Sequence, residues 1–320
     1  MNRRSFLRQA VVASAASALT SSLVAQAASS PASAAQGSSP RFRMKYGPHQ
    51  GQFEASAGKN VLDQIRFAHD AGFTAWEDNG MLGRAREEQD AMAALFRSLG
   101  MTLGVFVAYA EFTHPTFAGN RLDIKERKRD PQAVRAMLTQ RMEATVELAR
   151  RVGAKWCTVV PGTVDPSLLS EQQTANVVEN LKHCAAICEK AGVILVLEPL
   201  NYMDHPGCFL QRGAQARQIC KMVGSPSVKI LFDIYHQQIT EGNLINNMAD
   251  AWDEIVYIQV GDVPGRKEPT SGEINSQHIF QWLHDRGYDG VVGMEHGLRN
   301  GGRDGEKALV AAYRAVDIAG

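Results

Sequence analysis

The chain has 320 residues, enough for one large α/β domain or two smaller ones. Its 34 basic and 34 acidic residues cancel; no net field draws nucleic-acid phosphate, and no basic stripe stands out. Beyond roughly the first forty positions no low-complexity tract occurs, which excludes a disordered or fibrous protein over the rest.

The start, Met1-Asn2-Arg3-Arg4-Ser5-Phe6-Leu7-Arg8, sets two adjacent arginines before an Ala-rich, weakly apolar stretch. The pattern resembles a twin-arginine export signal, with Ala25-Gln26-Ala27 as its cleavage site. Residues 1–28 are read as that signal and the Ser/Ala/Pro/Gln/Gly stretch 29–40 as a flexible linker. The expected location is periplasmic or secreted. No stable membrane anchor is expected after cleavage, because no other stretch is long and apolar enough to span a bilayer. The five cysteines are read as buried free thiols, with a Cys208–Cys220 disulfide left open.

From residue 41 to 320, apolar strand-like runs alternate with helix-period segments. Strands are expected at 42–46, 73–76, 102–109, 155–160, 193–198, 228–233, 255–259 and 290–295. Helices are expected at 61–71, 85–99, 131–152, 170–192, 211–223, 239–252, 275–286 and 305–318. Asp130-Pro131 is a cap and first-turn pair, and Gly100 is a helix stop. The runs 193–198, 228–233 and 255–259 are almost continuously apolar, as strands buried on both faces are. Eight such units favour a single-domain (β/α)8 TIM barrel over an open α/β sheet. No Gly-x-Gly-x-x-Gly follows the first strand, so a dinucleotide fold has no local support. The stretch 110–130 is a long loop, uncommon unless functional.

The last four strands end on oxygen side chains: Glu198, Asp233, Gln259 and Glu295. Parallel strands converge at the C-terminal face of a barrel, where active sites sit. Three carboxylates packed together cannot all stay ionised without a cation. Four oxygen donors suit Mg2+ or Mn2+ better than zinc and leave coordination positions for substrate oxygens. The bland alternative is four strand-end polar groups bonded to loops.

These segments also carry a family resemblance. Leu197-Glu198-Pro199-Leu200-Asn201, Asp233-Ile234-Tyr235-His236-Gln237-Gln238, Tyr257-Ile258-Gln259-Val260, Pro264-Gly265-Arg266-Lys267-Glu268-Pro269 and Met294-Glu295-His296-Gly297 resemble the hydroxypyruvate isomerase branch of the xylose isomerase-like barrels. The resemblance covers roughly residues 41 to 318. It implies that Glu198, Asp233, Gln259 and Glu295 bind the metal and that Glu198 and Glu295 are the proton-transfer pair. Related epimerases carry a His where Gln259 stands, so the Gln favours the isomerase branch. His236 is expected to bond a substrate oxygen and Arg266 to hold a carboxylate or hydroxyl. Asp204 and His205 are further substrate candidates, with Glu77 on the same rim; Glu268 and Glu273 are expected to brace the Arg266 loop.

The expected activity is a divalent-metal-dependent aldose–ketose type isomerisation of a small hydroxy-carbonyl compound, a proton moving between adjacent carbons through an enediolate. Alternatives are an exported sugar or keto-sugar epimerase and a carbohydrate-binding barrel without turnover. A metal-dependent hydrolase of the endonuclease type would need more His ligands and a basic rim. The expected partner is a small molecule, and the family resemblance admits a homodimer.

Overall fold

The computed structural model describes residues 39–123, 125 and 128–318. The expected signal and all but the last two residues of the linker lie outside the described residues. The strands are β1 (Lys45–Gly47), β2 (Ala75–Trp76), β3 (Thr102–Leu103), β4 (Phe106–Glu111), β5 (Trp156–Pro161), β6 (Ile194–Leu197), β7 (Val228–Asp233), β8 (Ile255–Gln259) and β9 (Val291–Gly293). All pairings are parallel. Seven strands run in the order β1-β9-β8-β7-β6-β5-β4, and β2 pairs with β3.

Backbone hydrogen bonds close this ring. Glu77 N–H donates to Pro48 O at 2.9 Å, joining the segments after β1 and β2. Gly104 N–H donates to Trp76 O, Asp78 N–H to Val105 O and Val107 N–H to Asn79 O, which carries the β2–β3 pairing onward into β4. The expected third strand is thus one barrel strand broken at Gly104-Val105, and the architecture is the expected (β/α)8 barrel. At the break Tyr257 Oη takes the place of a strand neighbour, and only a glycine leaves room for it. A Cβ at Gly104 would lie 2.2 Å from Tyr257 Oη, which reaches across the barrel to take the Val105 N–H at 3.2 Å.

Strand alternation positions the site. Successive side chains point to opposite faces, so residues two apart share a face. Ala75, Val105, Trp156, Val196, Leu231, Tyr257 and Val291 pack as one cluster inside the ring. Two residues further along each segment stand Glu77, Val107, Thr158, Glu198, Asp233, Gln259 and Gly293, the tier directly above the apolar plug. The other faces of the strands, including Cys157, Leu195, Phe232 and Ile258, join the larger core beneath the helices.

The helices follow their caps. Asp130 accepts from Ala133 N–H and opens Pro131–Val152; Gly100 closes Arg86–Leu99 in the left-handed conformation. Three expectations shift. The first and last strands are shorter than expected, at Lys45–Gly47 and Val291–Gly293. The segment after β7, read as a loop before a helix at 239–252, is instead helical from Ile234 to Thr240 and again from Leu244 to Ala251. Asp233 starts the first of these by accepting from Tyr235 N–H at 2.8 Å. Within 110–130 a short helix forms at Thr116–Gly119. All five cysteines are buried free thiols, with no Cys208–Cys220 disulfide.

Gly104→Ala forces its new methyl against Tyr257 and is expected to cost about 1–3 kcal/mol, read from urea unfolding. Unchanged stability would show that Tyr257 gives way freely and that the break has another cause.

Candidate active site

Glu198 follows β6 by one residue, Asp233 and Gln259 end β7 and β8, and Glu295 lies two residues past β9. Glu198, Asp233 and Gln259 are buried, while Glu295 is half-buried. Ligand-capable atoms of Glu198, Asp233 and His236 all lie within 4.8 Å of one another. A cavity of about 210 Å3 is lined by Glu198, His236, Arg266 and Glu295 together with Val107, Thr158 and Val160.

Arg266 is the local cation. Its Nη2 donates to Asp233 Oδ2 and Glu295 Oε2, both at 2.9 Å, and its Nε donates to the Glu295 backbone oxygen at 2.9 Å. The guanidinium stacks on the Tyr235 ring at 4.7 Å. Arg266 adopts φ +51°, the left-handed region that side chains other than Gly rarely take. Asp262 holds that loop: Oδ1 accepts from Val263 and Ile274 N–H, and Oδ2 from Gly272 N–H. The two acids expected as braces act further out. Glu268 accepts from Arg299 N–H, and Glu273 accepts from Gln238.

Glu77 is fully enclosed behind Gln259. Its Oε1 accepts from Gln259 Nε2 at 2.7 Å and its Oε2 from Tyr257 Oη at 2.9 Å. Both oxygens are engaged, so Glu77 orients Gln259; it also lines, with Asn79 and Glu295, a cavity of about 340 Å3. Gly293 makes this possible, since a Cβ there would overlap Glu77. With its amide nitrogen held, Gln259 turns Oε1 the other way, where it is buried and unpartnered among the described residues. A buried carbonyl oxygen without a donor is costly.

His236 is set by Asn201. Asn201 Oδ1 accepts from Met203 and Asp204 N–H, which fixes the amide; Nδ2 then donates to Asp204 Oδ2 and to His236 Nδ1 at 2.7 Å. Asn201 backbone N–H also donates to His236 Nδ1 at 3.2 Å. The neutral ring therefore carries its proton on Nε2, 3.7 Å from Glu198 Oε1 and 3.6 Å from Asp233 Oδ2. Burial pushes its pKa down to about 4. His236 so faces the cavity as a neutral donor. Asp204 also takes the Tyr235 hydroxyl at 2.8 Å, so it braces both His236 and the Arg266 stacking partner. His205 stacks on Phe112 with ring centres 5.1 Å apart and lies 5.4 Å from the His236 ring, at the cavity wall.

The acids strain against one another. Burial, then Glu295 and Asp233, raise the Glu198 pKa well above the carboxylate range, with Arg266 opposing. Burial and then Glu295 raise Glu77 likewise. Glu295 is pushed up to about 7 by burial, with Arg266 opposing and Asp233 adding to the rise. Asn79 Nδ2 holds Glu295 Oε1 at 2.9 Å.

The donor set fits a hard divalent cation. Glu198, Asp233, Gln259 and Glu295 offer oxygen alone, Arg266 reaches only two of the three carboxyls, and Gln259 Oε1 lacks a partner. Asn79, Asn201 and Asp262 were missed from sequence. The available signals were short: Asn79 two residues past Glu77 and before Gly80, Asn201 inside the Glu198 motif, and Asp262 after Gly261.

A family model described as xylose isomerase-like TIM barrel matches residues 65–316. Hydroxypyruvate isomerase of Escherichia coli is 38% identical over 153 residues, 48% of this chain and 59% of that protein. A 2-oxo-tetronate isomerase of Cupriavidus necator is 35% identical over 156 residues, 49% of this chain and 60% of the relative. The chain thus spans about three fifths of the length of these relatives. In fold, it superposes on the crystal structure of 3-keto-D-glucoside 4-epimerase from E. coli with TM-score 0.67 at 21% identity, covering 86% of this chain and 99% of that one.

An acid whose pKa is raised on folding keeps its proton where the unfolded chain has lost it. Stability then falls as pH climbs from the ordinary 4.5 to about 7. Glu295→Gln removes that contribution. In chelator, the melting temperature of the variant relative to the native protein should rise across this window and level off above it. A difference that stays flat contradicts a raised pKa at Glu295.

Proposed function

The chain belongs to the xylose isomerase-like TIM barrel family, and we propose that it is a divalent-metal-dependent isomerase. It moves a proton between adjacent carbons of a small hydroxy-carbonyl compound, with hydroxypyruvate as the first candidate. The observation that carries this reading is the buried, unpartnered Gln259 Oε1, which stands beside Asp233 in the β7–β8 register, together with a cavity of about 210 Å3 that Glu198 and Glu295 line. The identity with isomerases over part of their length supports it.

Glu198, Asp233, Gln259 and Glu295 would hold Mg2+ or Mn2+, which when bound supplies polarisation of the substrate carbonyl and acidification of the neighbouring C–H. The protein's own groups do the rest. Glu295 is the carboxylate that takes the proton. Asn79 holds one of its oxygens; Arg266, which holds the other here, would give way to the cation. Glu198 is the partner that returns a proton. His236 Nε2–H and Arg266 face the oxygen on which enediolate charge develops. The twin-arginine start at Arg3-Arg4 supports an exported, periplasmic or secreted location.

One observation favours a second reading, an epimerase of a larger sugar or keto-sugar. A further cavity of about 340 Å3, lined by His49, Gln50, Asp78 and Arg84, adjoins the first across Asn79 and Glu295. Solvent-deuterium incorporation decides between the two. With Mn2+ in D2O the native protein should label hydroxypyruvate. Glu295→Gln should slow labelling about 100-fold or more, and chelator should abolish it. Labelling of ketoses or keto-glycosides alone selects the epimerase, and a Glu295→Gln variant that exchanges at the native rate shows the proton-transfer pair to be wrong.

A further inference from the structure

Thr158 stands in the same tier as the acids. It lies two residues past Trp156 of the apolar plug, and in the β5 register it opposes Val107 on one side and Val196 on the other. It is 3% exposed, and it lines the reactive cavity together with Glu198 and His236. Its Oγ1 has no hydrogen-bond partner among the described residues. In this tier the polar side chains of Glu77 and Asp233 are engaged by neighbours, and Glu198 and Gln259 Oε1 are the groups that the isomerase reading gives to a cation. The Thr158 hydroxyl is left over. A buried hydroxyl without a partner costs more than the valine that would fit the same strand position, so its presence on a wall shared with Val107, Ala110 and Val160 calls for a ligand.

We propose that the Thr158 hydroxyl is a specificity-determining contact that hydrogen-bonds an uncharged substrate oxygen, the hydroxyl of a hydroxy-carbonyl compound. This rests on the isomerase reading of the site and adds to it. The neighbouring wall is apolar, so it suits a hydroxyl and not a carboxylate; the carboxylate end belongs on the Arg266 side of the cavity.

Thr158→Val keeps shape and removes the hydroxyl, and Thr158→Ser restores it. The test measures binding of hydroxypyruvate and of pyruvate, which lacks the hydroxyl, to Mn2+-supplied native protein and both variants by calorimetry. The native protein should prefer hydroxypyruvate. Thr158→Val should lose about tenfold in affinity for hydroxypyruvate, with pyruvate binding unchanged and the melting temperature equal to or above native. Thr158→Ser should recover most of the preference. An undiminished preference in Thr158→Val, or an equal loss for both compounds, overturns the role of Thr158 and leaves the isomerase reading standing. A native protein that binds neither compound overturns both.

Discussion

The crowding of carboxyl groups at one end of the barrel is the constraint on which the rest of the structure turns. Glu77, Glu198, Asp233 and Glu295 share one desolvated region, and Arg266 bridges only two of them. Burial first, and repulsion among the acids second, push Glu77, Glu198 and Glu295 upward in pKa, and four charges of one sign against a single guanidinium cannot all be ionised there. A protein that gains nothing from this arrangement would do better with apolar residues at those positions. A divalent cation would remove the conflict, and the Gln259 oxygen is buried there without a partner among the described residues.

The fold meets this constraint through strand alternation and a few close approaches. Each inward apolar residue of the plug is followed two positions later by a member of the site tier, so barrel packing and site geometry are set by one register. Tyr257 belongs to both levels: its ring fills the plug while its hydroxyl holds Glu77 and receives Val105 N–H. Glu77 in turn aims Gln259. Gly104 and Gly293 supply the room for this chain of contacts. On the other side of the mouth, Asp204 and Asn201 set the tautomer of His236. Arg266 is placed by a strained residue conformation and by Asp262 beneath its loop. Function and folding therefore meet in the same hydrogen bonds.

The barrel was legible because its strands are buried on both faces and write continuous apolar runs; β7 and β8 start and stop where those runs do. The oxygen side chains at their ends were legible for the same reason, polarity following an apolar run. What escaped was non-local. The break at Gly104 depends on a tyrosine 153 positions away in sequence. The inward turn of Glu77 depends on Gln259, and the support of Glu295 by Asn79 spans 216 positions. Periodicity carries no trace of such pairings. His236 was placed correctly in sequence but in the wrong element, because a helix that begins on a strand-end Asp has no linker to announce it.

Anomalous diffraction from crystals grown with Mn2+ tests the central claim most directly. The account predicts a peak bounded by Glu198, Asp233, Gln259 and Glu295, with Gln259 Oε1 turned toward it. An empty cup at saturating Mn2+, with Arg266 still bridging Asp233 and Glu295, would contradict it.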